Sequence, residues 1–111
     1  VGDLIYFPGS DPEEREKRAR KLERARNNLL DIFDHLGLDE ARVEYLELLE
    51  EAKKQRLTIE FLERKHRMVS KNIHAYEQEE RIVLKFDKTG RYVGYVDRDT
   101  GELKKHVREE T

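Results

Sequence analysis

Apolar residues recur with heptad spacing through the middle of the chain. Ala41, Tyr45, Leu48, Ala52, Gln55, Ile59, Leu62, His66, Val69, Ile73 and Tyr76 step alternately four and three places. That spacing sets them along one stripe of an α-helix. Gly and Pro are absent between Leu38 and Arg81, and Glu, Lys, Arg and Leu fill most other positions. The pattern predicts one uninterrupted, coiled-coil-like helix over residues 39–79. At ~1.5 Å per residue it would be roughly 60 Å long.

A second stripe, Ala19, Leu22, Arg26, Leu29, Phe33 and Leu36, predicts a first helix over 11–36. Asp11 is placed to cap it, Pro12 suits its first position, and Glu13 and Glu14 oppose the positive end of its dipole. Gly37 reads as the residue that ends it, and Asp39 as the cap of the long helix. So short a connection makes the two helices antiparallel neighbours. The register brings Phe33 to Val43, Leu29 to Leu46, Arg26 to Leu49 and Glu50, and Ala19 to Leu57. Those partners form a second, weaker face of the long helix. The first helix is therefore expected to cover the weaker face and leave the better stripe free, with the last third of the long helix overhanging. The inverse pairing would instead leave Leu46, Leu57, Phe61 and Met68 as the contact surface.

Beyond Arg81 the periodicity changes. Ile82–Phe86, Tyr92–Val96 and Glu102–Val107 read as strands, separated by the turns Asp87–Gly90 and Asp97–Gly101. An Asp opening and a Gly closing each turn suits tight hairpins. The segment 82–107 is thus an antiparallel meander. The apolar run in residues 1–7, bounded by Pro8 and Gly9, is a candidate fourth strand. A meander this small is marginal alone, so it is expected to lie on the overhanging helix end or on a second subunit. The fold class is α+β in a single domain, 1–111: a helical hairpin with one overlong helix and a small C-terminal antiparallel sheet.

Gly90-Arg91, the run from Val96 to Glu102 and Glu109-Glu110 make the segment from Phe86 to Glu110 resemble the hairpin of FlaG-type flagellar proteins. The first turn is shorter than in that pattern, and Leu103, Lys104 and Arg108 stand where it has Ile and Pro. The family is not adopted.

Composition agrees with a thin core. Only 36% of residues are apolar and 43% are charged, which suits amphipathic helices with solvated faces. The absence of Cys excludes disulfides, thiolate-bound zinc and thiol catalysis. No run approaches the ~20 apolar residues that span a bilayer, and no signal-peptide pattern is visible. A cytoplasmic protein that does not enter a membrane is expected. The net charge of −2 conceals segregation: Arg15–Arg26 and Lys53–Lys71 are mainly basic, Asp39–Glu51 mainly acidic.

Candidate chemistry is sparse. Ser10 suits a helix start and Ser70 has no carboxylate set to orient a base, so the chain is read as non-enzymatic. Asp31 and His35, with Asp34, Asp39 and Glu40 nearby, lack the Glu-x-x-His pairs of bundle metal sites; they read as a helical ion pair, and no metal or cofactor is expected. His66 is the polar member of the stripe, either a hydrogen-bonded core residue or a selector of register and oligomeric state. Arg18 and Lys21 on the first helix, Arg64, Arg67 and Lys71 on the second, and Arg91 and Tyr92 on the meander are candidate nucleic-acid contacts at a basic end.

The free stripe decides the expected function. Tyr45, Leu48, Ile59, Leu62, His66, Val69, Ile73 and Tyr76 would stand in water in a monomer. At ~1.5–3 kcal/mol per large apolar side chain this forgoes on the order of ten kcal/mol, and exposed stripes of that size mark interfaces. A homodimer through the long helix is expected, acting as a small regulator, adaptor or structural subunit that binds another protein. The alternative is a dimeric nucleic-acid binder using the basic end.

Overall fold

The computed structural model describes residues 12–107; the expected N-terminal strand and the Asp11 cap lie outside them. Three helices precede a three-stranded antiparallel sheet: α1 (Pro12–Leu36), α2 (Asp39–Gln55), α3 (Ile59–Glu80), β1 (Ile82–Phe86), β2 (Tyr92–Asp97) and β3 (Leu103–Lys105). The α+β class and the meander stand as expected. The single long helix does not.

α1 ends as its Gly37 suggested. Gly37 has φ +69°, the Leu38 N–H donates to the Phe33 carbonyl at 2.8 Å, and the Gly37 N–H to the Asp34 carbonyl at 3.3 Å. This is a Schellman motif, in which Gly takes the left-handed conformation without steric cost. Asp39 is not the cap of α2. Leu38 holds that position with no side-chain hydrogen bond, and Asp39 and Glu40 fill the first turn.

The expected helix over 39–79 is broken at Arg56–Thr58. Arg56 adopts φ 52°, and the Arg56 and Leu57 N–H groups donate to the carbonyls of Lys53 and Ala52 at 3.3 and 3.0 Å. Thr58 then caps α3, its hydroxyl oxygen accepting from the Phe61 N–H at 3.2 Å. A left-handed Arg costs roughly 1–2 kcal/mol. The reversal offsets that cost by folding the heptad stripe back upon itself, so that its first half on α2 faces its second half on α3. Gln55 leaves the stripe and is exposed at the end of α2.

The break reverses the expected faces. Phe33, 2% exposed, sets its ring edge against Tyr45 with centroids 6.0 Å apart. α1 therefore covers the stronger stripe, while Val43 and Leu46 on the weaker face are 50% and 37% exposed. The pairings of Phe33 with Val43 and Leu29 with Leu46 are not formed. No overhang remains, because α3 runs back beside α1 in the same direction. Arg15 and Arg18 near the start of α1 meet Glu60 and Glu63 near the start of α3.

The sheet lies against α1 and α3. Ile82, Leu84 and Tyr92 are buried with Leu29, Ile32, Phe33, Tyr45 and Ile73, so one core spans bundle and sheet. Asn28 ties β2 to α1: its side-chain oxygen accepts from the Tyr92 N–H at 3.0 Å and its amide donates to the Gly90 carbonyl at 2.8 Å. Glu77 does the same for β1 and α3, accepting from the Leu84 N–H at 3.0 Å. Gly94, with φ +148°, passes so close to β3 that a Cβ there would lie 2.3 Å from the Lys104 carbonyl oxygen. Both turns are organised by Asp side chains: Asp87 accepts from the N–H groups of Thr89 and Arg91, and Asp97 from those of Asp99 and Thr100. Among the described residues no helix is long and apolar enough to cross a membrane.

Candidate functional site

An apolar trough runs between α2 and α3, with α1 as its floor. It consists of two hollows. One, of about 420 Å³, lies among Phe33, Leu38, Ala41, Val69 and Tyr76. The other, of about 360 Å³, lies among Leu22, Leu49, Ile59, Leu62 and His66. Tyr45 and Leu48 border both and form the saddle between them. From Ile59 to Tyr76 the α3 wall is about 26 Å long. The residues expected at an outward interface, Tyr45, Leu48, Ile59, Leu62, His66, Val69, Ile73 and Tyr76, are brought together here on facing walls. Tyr45 and Ile73 are buried; the others are half-buried.

Beneath the trough surface, two side-chain atoms with no accessible area have no hydrogen-bond partner among the described residues: the Tyr45 hydroxyl and His66 Nε2. The rings meet edge to face with centroids 5.9 Å apart. Burial pushes the Tyr45 hydroxyl up to about 12 and the His66 imidazole below its ordinary value. Both groups are therefore neutral near pH 7. Buried polar atoms are nearly always paired, and leaving one unpaired costs about 1–3 kcal/mol.

The rim of α2 is acidic. Glu40, Glu44, Glu47 and Glu51 are spaced four, three and four apart, on one line beside the stripe. All four are exposed, and Glu44 borders the larger hollow. Glu51 accepts from the Gln55 amide; Glu40, Glu44 and Glu47 make no hydrogen bond or ion pair among the described residues. Across the trough, Lys65 borders the smaller hollow with its ammonium 5.4 Å from the Phe61 ring centroid.

Of the candidate nucleic-acid contacts, Arg18, Lys21 and Arg67 gather around Glu63, whereas Arg91 lies at the first sheet turn. The Arg18 guanidinium donates to both Glu63 carboxylate oxygens and also reaches Glu60. The hydrogen bond to Glu63 raises the Arg18 pKa and holds the Glu63 carboxyl below its usual range. Because α3 runs parallel to α1, Arg64 and Arg67 lie toward the start of α1, but Lys71 is farther along the bundle. Lys21, Arg64, Arg67, Lys71 and Arg91 are exposed. Arg91 lies beside Arg24 and Asp31 at a polar hollow of about 700 Å³. Tyr92 is fully buried and presents no face to a base, contrary to its expected role.

Tyr92 belongs instead to a cluster that carried no sequence pattern. His35 Nδ1 lies 2.7 Å from the Tyr92 hydroxyl, and the His106 ring is 5.1 Å from that of His35. Asp31 reaches His106 Nε2 at 3.7 Å, so the expected Asp31–His35 pair is replaced by a link from α1 to the segment after β3. Burial, then the neighbouring His106, lowers the His35 pKa, while a hydrogen bond to the Lys105 backbone opposes this. A neutral His35 with its Nδ1 accepting from the Tyr92 O–H fits these contacts. No group of three potential metal ligands comes together among the described residues. His106 is distant in sequence from both partners, and only the sheet's docking brings it to them.

Comparison of the chain with protein-family models, with curated proteins and with solved structures finds no match.

Proposed function

We propose that the protein is a non-enzymatic interaction module, a small regulator or adaptor, that takes a helical segment of another protein into the trough between α2 and α3. The supporting observation is the trough itself: two apolar hollows on either side of the saddle formed by Tyr45 and Leu48. An amphipathic helix lays residues at i, i+3, i+4 and i+7 into such a groove, and a wall of about 26 Å accommodates four to five turns. A fourth helix in this position completes a four-helix arrangement, the geometry expected earlier from a dimer.

The test is a titration of the full chain with a synthetic helix that has a leucine seam and uncharged glutamine flanks, followed through backbone amide shifts. Shifts should concentrate at Leu48, Leu62, Val69 and Tyr76 and spare β3. Leu48→Lys, checked for retained helicity by circular dichroism, should weaken binding by about tenfold or more, as expected for a charge placed in an apolar contact. Shifts confined to the sheet, or no saturable shifts, would remove the trough from consideration.

A further inference from the structure

We propose that the hollow between α1 and the turn joining β1 to β2 binds an organic phosphate monoester, with Arg24 and Arg91 holding the phosphate group. This hollow shares no lining residue with the trough, and the proposal does not depend on helix docking.

Helical spacing and the chemistry of the turn bring the two arginines together. On α1, Lys17, Arg20, Arg24, Asn27 and Asp31 step three, four, three and four places, which sets them on one line. The line runs along the face opposite Leu29 and Phe33, which are buried in the core. Arg91 arrives from the sheet. Asn28 donates to the Gly90 carbonyl and accepts from the Tyr92 N–H, so α1 grips the chain on both sides of Arg91. Asp87 fixes the turn itself: one carboxylate oxygen accepts from the Thr89 N–H at 2.8 Å, the Thr89 hydroxyl at 2.6 Å and the Arg91 N–H at 3.1 Å. The backbone that carries Arg91 is therefore set before a ligand arrives, which lowers the cost of binding.

Charge selects an anion. Arg20, on the same line, is engaged by Glu16 at 2.6 Å. The Arg24 and Arg91 guanidiniums make no hydrogen bond or ion pair among the described residues. Asp87 feels the Arg91 charge, but its three hydrogen bonds turn it into the hairpin. Asp31 is the one carboxylate lining the hollow among the described residues, and it reaches His106 Nε2 at 3.7 Å. Two guanidiniums against one carboxylate leave an excess of positive charge. Each guanidinium offers a planar fork of N–H donors. A phosphate monoester brings three terminal oxygens and a charge near −2 at pH 7, where a carboxylate brings two oxygens and one charge. The volume, about 700 Å³, falls in the range of sites for small organic molecules. Leu30 and the Asn27 carboxamide line it too, and they supply an apolar contact and a donor–acceptor pair for the organic part.

The experiment titrates the full chain with ribose 5-phosphate, adenosine 5′-monophosphate, adenosine and inorganic phosphate at physiological ionic strength, followed through backbone amide shifts. Both esters should give saturable shifts at Asn27, Thr89 and Gly90 and spare Leu48 and Leu62 in the trough. Adenosine should give none at those three amides, and inorganic phosphate should bind about fivefold or more weakly than the esters. Arg24→Gln and Arg91→Gln change exposed side chains, and circular dichroism checks that the fold is kept. Each should weaken ester binding about tenfold or more, as loss of a charge-assisted hydrogen bond does. Arg20→Gln removes a cation from the same line and should change affinity by less than about twofold.

No saturable shift with either ester, equal binding of adenosine, or an Arg24→Gln variant that binds as the wild type does overturns the inference. So does an Arg20→Gln loss as large as that of Arg24→Gln, which would show only diffuse attraction to a basic helix. Inorganic phosphate binding as tightly as the esters would make this a site for the free anion and overturn the ester assignment. A single-stranded oligonucleotide without a terminal phosphate that outbinds both esters would assign the hollow to a nucleic-acid backbone and overturn it as well.

Discussion

His66 shows how one side chain links stability to the trough. Its imidazole stands where the heptad calls for an apolar residue, and burial holds its pKa below the ordinary value. In the unfolded chain the same ring takes a proton near pH 6.5. The folded state therefore binds fewer protons than the unfolded state as pH falls through that range. The stability contributed by the neutral ring is complete above pH 6.5 and declines as pH falls toward the folded pKa. His35 adds to the same slope, since burial and the neighbouring His106 lower its pKa as well. Urea unfolding of the wild type between pH 7.5 and 5 should show a falling midpoint. His66→Leu should flatten part of that decline and raise stability at pH 7 by about 1 kcal/mol, because an unpaired buried nitrogen is replaced by hydrocarbon. An unchanged slope would mean that the imidazole is not enclosed.

At the scale of elements, the break between α2 and α3 turns a coiled-coil stripe into a self-contained bundle. The stripe from Ala41 to Tyr76 is continuous in sequence, and Gly and Pro are absent across it, so periodicity alone carried the helix straight through Arg56. The stop is made by a Schellman motif on an Arg and a cap on Thr58, neither of which disturbs the heptad count. The legible signal was Thr58 followed by Glu60, a helix start hidden inside a helical pattern. Folding back sets both halves of the stripe over α1, an arrangement that local spacing left open. The meander was legible because each turn carries its own chemistry, an Asp at the start and a Gly at the end. The docking of Tyr92 was not, since β2 shows Tyr, Val, Gly, Tyr, Val without declaring which face is covered. Thr58→Ala removes the cap and should cost about 1 kcal/mol. Arg56→Gly relieves the left-handed backbone and should change stability in the opposite direction by up to about 1 kcal/mol. Chemical denaturation of the two variants measures both signs. If Thr58→Ala is neutral and the chain becomes dimeric, α2 and α3 have joined into the continuous helix that the heptad permits.

For the whole molecule, α1 is the element that makes one body of bundle and sheet. It touches α2 through Phe33 and Tyr45, α3 through the ion pairs at its start, and β2 through the Asn28 clamp and the contact of His35 with Tyr92. The buried cluster runs without interruption from Tyr45 in the bundle to Leu84 and Tyr92 in the sheet. A chain with so few apolar residues has no second core on which the sheet could stand, and a three-stranded meander alone is at the margin of stability. Bundle and sheet are therefore expected to unfold in one transition. Phe33 is the place to test this, because its ring is 2% exposed and lies against the α2 wall of the trough. Phe33→Ala should cost about 3–5 kcal/mol, a large share of the roughly 5–15 kcal/mol typical of a small domain. Helicity followed by circular dichroism and sheet order followed by hydrogen exchange at the Asp87 and His106 amides, which donate across the sheet to the Arg91 and Val93 carbonyls, should report the same urea midpoint, in the wild type and the variant alike. If the substitution lowers the helical transition while those two amides keep their protection, the sheet has a core of its own. If both move together, the floor of the trough and the docking of the sheet are one structure, and a partner seated between α2 and α3 stabilises the sheet on the far side of α1 as well.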